Sequence, residues 1–268
     1  MRICWIHPTT KTPELAPLWT TIEQTVSPDL LPGTEIEYRF SAGSANFTRS
    51  SYAEHLNSVL MLDQAIQAEK DGFDGVFIGC WNDALWEARE VLSIPVASVG
   101  EQSMLAALAM GQRFAVVTVS QKTAVAIERD LFAYGLHERA ISRPVRSIAP
   151  ESDGDLLLGA VTDPHSGFIP RFEAAARGCI ADGADIILVG CAYYGPLLRR
   201  VGYTHVADTG IPVIDSTTVA IKYLEAMVGV SRATGITKSM GPMFRTPDPA
   251  KIERARAALA VVEAGKLR

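Results

Sequence analysis

Short uninterrupted apolar runs alternate along this chain with longer stretches in which apolar side chains return every three or four positions. The runs "RICWIH" (2–7), "EIEYRF" (35–40), "GVFIGC" (75–80), "PVASV" (95–99) and "FAVVTV" (114–119) predict strands in the first half, and "DIILVGC" (185–191) and "PVIDS" (212–216) predict strands in the second. Most are apolar on both faces, as parallel strands are when helices cover the sheet on either side. Helical periodicity covers 14–26, 53–70, 82–91, 101–111, 121–134, 167–182, 216–230 and 248–264. The alternation predicts an α/β protein. Glycine- and proline-rich stretches at 27–34, 41–50 and 149–166 read as connections, and another at 239–249 joins the last two helices.

One strand pattern occurs twice. "DGFDGVFIGC" at 71–80 is answered by "DGADIILVGC" at 182–191, and each copy ends on Gly-Cys. A short segment follows each cysteine, then an Ile-Pro strand and a helix, in "SIPVASVGEQSMLAAL" and "GIPVIDSTTVAIKYL". The second copy carries an insertion around "RRVGYTHVADT". The repeat predicts two pseudo-symmetric lobes, each a mainly parallel sheet flanked by helices, with the active site in the cleft between them. Residues 1–98 plus 216–268 form the first lobe, which carries Cys80; residues 99–215 form the second, which carries Cys191.

With 268 residues, 48% of them hydrophobic, the chain can bury a substantial core. A net charge of −5 without a basic cluster offers no footprint for nucleic acid or an anionic membrane, so the expected partner is a small molecule. The opening "MRICWIHPTT" has too short an apolar run for a secretory signal, and no stretch approaches the roughly 20 apolar residues of a membrane span. A soluble cytoplasmic protein is expected. In that compartment Cys4, Cys80, Cys179 and Cys191 are not expected to form a disulfide framework. Their spacings match no zinc motif, and the chain holds no HExxH, GxGxxG or GxxxxGK[ST] stretch. No metal and no cofactor are expected.

Ligands of open parallel sheets collect at the carboxyl ends of the strands, where both Gly-Cys pairs stand. Pseudo-symmetry then puts Cys80 and Cys191 on opposite walls of one cleft. Two acid/base groups flanking a carbon suit inversion of a stereocentre, in which a proton leaves one face and another arrives at the opposite face. A thiol titrates near 8.5 and is lowered near helix N-termini. Asn82 or Asp83 is a candidate N-cap after Cys80, and Pro196 a candidate first helical residue after Cys191. Cys4 within a strand and Cys179 within a helix read as packing residues.

Candidate substrate-binding residues flank these ends. Thr118 and Ser120 close the strand "FAVVTV", Ser120 as the helix cap and Thr118 toward ligand; His7, Thr9 and Thr10 follow the first strand. Trp81 and Asn82 follow Cys80, and Ala192 and Tyr193 follow Cys191. Trp81 and Tyr193 are favoured over Trp86 and Tyr194 as an apolar wall. The motifs show few charged clamps for an amino-acid zwitterion.

"GCWNDALWEARE", "IPVASVGEQSM", "FAVVTVS", "ILVGCA" and "IPVIDSTTVA" together resemble the aspartate/glutamate racemase superfamily, and within it the hydantoin and allantoin racemases, over most of the chain. The resemblance implies a cofactor-independent, two-lobed α/β racemase, forming a homo-oligomer, with Cys80 and Cys191 as the proton-transfer pair. Departures from the family pattern are His7-Pro8-Thr9-Thr10 in place of Asn-Pro-Asn-Ser/Thr, Asp83-Ala84 in place of Asp-Pro, and Ser216 where glycine is common. A hydantoin, allantoin or related amino-acid derivative is the expected substrate. The alternatives are a maleate cis–trans isomerase, an aspartate or glutamate racemase, and a non-catalytic two-lobed binding protein.

Overall fold

The computed structural model describes residues 1–41, 43–44 and 49–266; residues 42 and 45–48, in the predicted 41–50 connection, and 267–268 lie outside the described residues, as do the side chains from 259 onward. One sheet is built from β1 (Arg2–His7), β2 (Glu35–Phe40), β3 (Gly75–Ile78) and β4 (Val96–Ala97), in the order β2-β1-β3-β4. The other is built from β5 (Phe114–Thr118), β6 (Ala140–Ser147), β7 (Ile186–Gly190) and β8 (Val213–Ile214), in the order β6-β5-β7-β8. Every pairing within the two sheets is parallel, so one topology is used twice. This is the α/β architecture expected from the alternating pattern.

The strand period of two sorts β1 between two cores. Ile3 and Trp5 enter a large apolar cluster that continues into the second lobe through Phe114, Val116 and Leu188. Cys4 and Ile6 face a smaller cluster under α2 (Ser51–Lys70) and α3 (Leu85–Val91). On α1 (Ala16–Val26), Leu18, Trp19, Ile22 and Val26 recur at helical spacing and are buried. The lobes share their last helices. α4 (Val99–Ala107) packs on α9 (Ser216–Thr234) and touches β7, while α9 lies against β3, β4 and β7.

Two elements differ from the sequence reading. β6 was absent from the predicted strands because Pro144, Arg143 and Arg146 interrupt its apolar pattern; as an edge strand it tolerates all three. The 149–166 connection contains α6 (Gly154–Thr162), capped by the Asp153 carboxylate on the Leu156 N–H; Gly154, Gly159 and the flanking prolines hid it. The remaining helices are α5 (Gln121–Ala133), α7 (Phe168–Ala181), α8 (Tyr194–Arg200) and α10 (Pro249–Lys266). Among the described residues no helix is long and apolar enough to cross a membrane.

Asp215 joins the start of α9 to α8. Its Oδ1 accepts the N–H groups of Thr217 and Thr218 at 3.2 Å, and its Oδ2 accepts from Arg199 Nε at 2.9 Å and Thr218 Oγ1 at 2.6 Å. The Asp215→Ala variant removes a cap and strands buried donors, so it is expected to lose about 2 kcal/mol of stability. An unchanged urea midpoint would contradict this.

Candidate active site

In each sheet the chain leaves the two central strands in opposite directions, from β1 to β2 and from β3 to β4, then from β5 to β6 and from β7 to β8. The diverging connections leave a crevice at the carboxyl ends. Cys80 follows β3 and Cys191 follows β7, so each thiol stands beside one such point. A cavity of about 670 Å³ opens beside them, with both cysteines on its wall. Thr123, Ala126, Ile127 and Asp130, spaced as one face of α5, form another wall. Arg49 and Glu54 line it from the first lobe, and Ser152 and Tyr194 from the second.

The loop after Cys80 is held by Asp83, whose Oδ2 accepts the N–H groups of Cys80 at 2.6 Å and Trp81 at 3.3 Å. Neither Asn82 nor Asp83 caps α3: Ala84, in the left-handed region at φ 50°, occupies that position without a side-chain bond. Asp83 is committed to the cysteine loop, while Asn82 Nδ2 donates to Asp130 Oδ1 at 2.9 Å and Asn82 Oδ1 accepts from the Tyr134 hydroxyl. Pro196 is likewise not the first residue of its helix, since α8 begins at Tyr194. Tyr194 is fixed by a 2.7 Å bond between its hydroxyl and that of Ser152 and by stacking on Phe168 at 3.6 Å.

The two thiols face each other and are driven apart in acidity. Cys191 lies below the ordinary thiol range, because it accepts from the Cys80 thiol and, against the cost of burial, receives the N–H groups of Tyr194 and Tyr193 and the field of Arg49. Cys80 lies well above that range, through its bond to Cys191, burial, and the negative charges of Cys191 and Asp83. Burial pushes Asp130 up to about 7 against the Asn82 hydrogen bond. Cys4 and Cys179 are buried, and desolvation pushes their thiols up to about 12 and about 11.

The model of the Asp/Glu/hydantoin racemase family matches residues 18–224, a span that holds both cysteine loops. The chain belongs to that family. It is a racemase, an isomerase. Hydantoin racemase of Pseudomonas sp. (strain NS671) is 29% identical over 196 residues, 71% of this chain and 72% of that protein. Hydantoin racemase of Rhizobium meliloti is 32% identical over 176 residues, 65% of this chain and 68% of that protein. A crystal structure of allantoin racemase from Pseudomonas fluorescens superposes with a TM-score of 0.75 at 25% identity, covering 93% of this chain and 98% of that one.

The racemase distributes the other sequence candidates unevenly. Trp81, Asn82 and Tyr193 line the cavity. Ala192 is buried; its N–H is directed at Cys80 and its carbonyl accepts from Thr217 Oγ1 at 2.8 Å. Thr118 is fully buried with its hydroxyl donated to the Gly190 carbonyl at 2.7 Å, tying β5 to β7, and Thr123 stands on the wall instead. Ser120 caps α5 through the Thr123 N–H. His7 lies off the cavity, stacked on Trp5 at 4.6 Å and Phe40 at 4.7 Å, and burial lowers its pKa to about 3. Thr9 sits beside the Tyr193 hydroxyl, and Thr10 donates to the Ser41 carbonyl at 2.8 Å. Arg49, Glu54, Lys122, Arg129, Asp130 and Ser152 are wall residues that the sequence reading did not single out. Only α5 offered a local signal, in the helical spacing of Thr123, Ile127 and Asp130.

Proposed function

We propose that this racemase inverts an acidic C–H stereocentre by proton transfer between Cys80 and Cys191, without metal or cofactor. The observation that carries the proposal is that the two thiols, one from each lobe, meet on the wall of one cavity with acidities displaced in opposite directions. One thiolate removes the proton from one face of the carbon while the opposite thiol protonates the other face. The adjacent carbonyl of the substrate takes up carbanion charge. The relatives' printed activities favour a hydantoin, allantoin or a related amino-acid derivative as substrate.

A second reading is an aspartate or glutamate racemase. It is favoured by Arg49, Lys122 and Arg129 on the wall, cations able to pair with a substrate carboxylate. They replace the sequence expectation of few charged clamps. The test is a panel of enantiopure hydantoins, allantoin, aspartate, glutamate and maleate, assayed with a chelator present and no cofactor added. Loss of optical rotation with a hydantoin or allantoin is expected. Turnover only of maleate, or only after a divalent metal is restored, would contradict the proposal.

Iodoacetamide is expected to inactivate the enzyme, with protection by substrate and the protected label on Cys80 or Cys191. Cys4 and Cys179 should resist, since both are buried and held in the thiol form. Inactivation with label confined to those two would overturn the assignment.

A further inference from the structure

The two cysteine loops begin alike, at Gly79-Cys80 and Gly190-Cys191, and differ from the next residue onward; three residues past each cysteine the first has Asp83 and the second Tyr194. Resting on the two-thiol reading, we propose that Asp83 is a positioning residue that makes the two thiols unequal, holding Cys80 as the protonated acid and leaving Cys191 as the resting thiolate. Asp83 is only 8% exposed, lines the cavity, and grips the Cys80 and Trp81 N–H groups with one oxygen. Those donors stabilise its ionised form against the burial that raises its pKa. The seat is built for it: a Cβ on Gly79 would lie 2.2 Å from Asp83 Oδ2. In the second loop the side chain at the matching place is neutral, with its hydroxyl on Ser152 and its ring on Phe168.

The other groups around the pair reinforce the asymmetry. Cys80 faces Asp83 on its own loop and Cys191 and Tyr193 from the second lobe, while the charge of Asp83 also acts on Glu54 of α2 and Asp130 of α5 and raises both. Arg49 acts on Cys191 and Tyr194, so the positive field falls on the Cys191 side. In one turnover from the resting state, Cys191 takes the proton of the substrate carbon and Cys80 delivers its own proton to the opposite face. The product departs with the thiolate beside Asp83, the disfavoured arrangement. A proton passing from the Cys191 thiol to the facing Cys80 thiolate restores the resting state, with atoms and charge conserved.

The test maps alkylation and the pH profile in the wild type and Asp83→Asn, which keeps an oxygen acceptor for the two N–H groups and removes the charge. In brief iodoacetamide treatment near neutral pH, wild-type label is expected on Cys191 first, although Cys80 is the more exposed thiol. In Asp83→Asn the label on Cys80 relative to Cys191 should rise about tenfold, the change that accompanies a shift of about one pKa unit. The basic limb of kcat/KM, where Cys80 loses its proton, should move to lower pH while the acidic limb stays. A variant with reduced activity but unchanged limbs and labelling ratio would show a merely structural role and overturn the inference. If the variant does not fold, wild-type label appearing on Cys80 first or equally does the same. Labelling requires no turnover, so absence of racemisation on every substrate would remove the two-thiol reading separately.

Discussion

Cys80→Ala and Cys191→Ala are each expected to racemise about 10²–10⁴-fold more slowly than the wild type, the usual contribution of one positioned acid/base group. On the two-thiol proposal inversion in either direction uses both thiols, so neither variant should be a milder version of the other. Both should keep the fold. Each substitution removes a sulfur from a cavity wall together with the backbone N–H bonds that sulfur accepts, but keeps the Asp83 grip on the N–H of residue 80 and the bond from Thr217 to the Ala192 carbonyl. Steady-state rates in both directions, with thermal midpoints as the control, measure this. A single variant with wild-type racemisation would remove its cysteine from the mechanism.

Gly79→Ala is expected to be the most damaging glycine substitution in the molecule, lowering kcat/KM by about 10²-fold through displacement of the Cys80 loop. Gly79 adopts φ +79°, which costs an L side chain about 1–2 kcal/mol, and its Cβ would collide with the Asp83 carboxylate at 2.2 Å. Gly72 separates the two causes. It has the same φ of +79° but nothing within 4 Å of its Cβ, so Gly72→Ala should lose stability and keep its activity. Equal activity losses in the two variants would show that backbone strain alone, and not the seat of Asp83, is responsible.

What could be read from the sequence was whatever lies contiguously in the chain. β3 and β7 are short, wholly buried and followed within two residues by their cysteines, so strand, glycine and thiol appear together in the text of the chain. β6 was missed because the exposure of an edge strand admits Pro144 and two arginines, which erase the period that burial would enforce. The same locality governs the site. Trp81 and Tyr193 adjoin the cysteines and stand on the wall, whereas Glu54 of α2, Asp130 of α5 and the connections that carry Arg49 and Ser152 meet only in the folded chain. Asp83 was visible as a candidate helix cap, but its return to the Cys80 N–H beside the bare Gly79 and ahead of the left-handed Ala84 is announced by no local pattern. His7 shows the converse: its place at the end of β1 suggested the cleft, but the rings of Trp5, Trp19 and Phe40 enclose it.

The most direct test of the two-thiol account is deuterium wash-in from D2O at the stereocentre, followed by NMR for each enantiomer separately with Cys80→Ala and Cys191→Ala. The remaining thiol can remove and return a proton on its own face, so each variant should exchange one enantiomer slowly with retention, and the two variants should choose opposite enantiomers. Exchange of the same enantiomer by both variants would mean that Cys80 and Cys191 do not flank the reacting carbon.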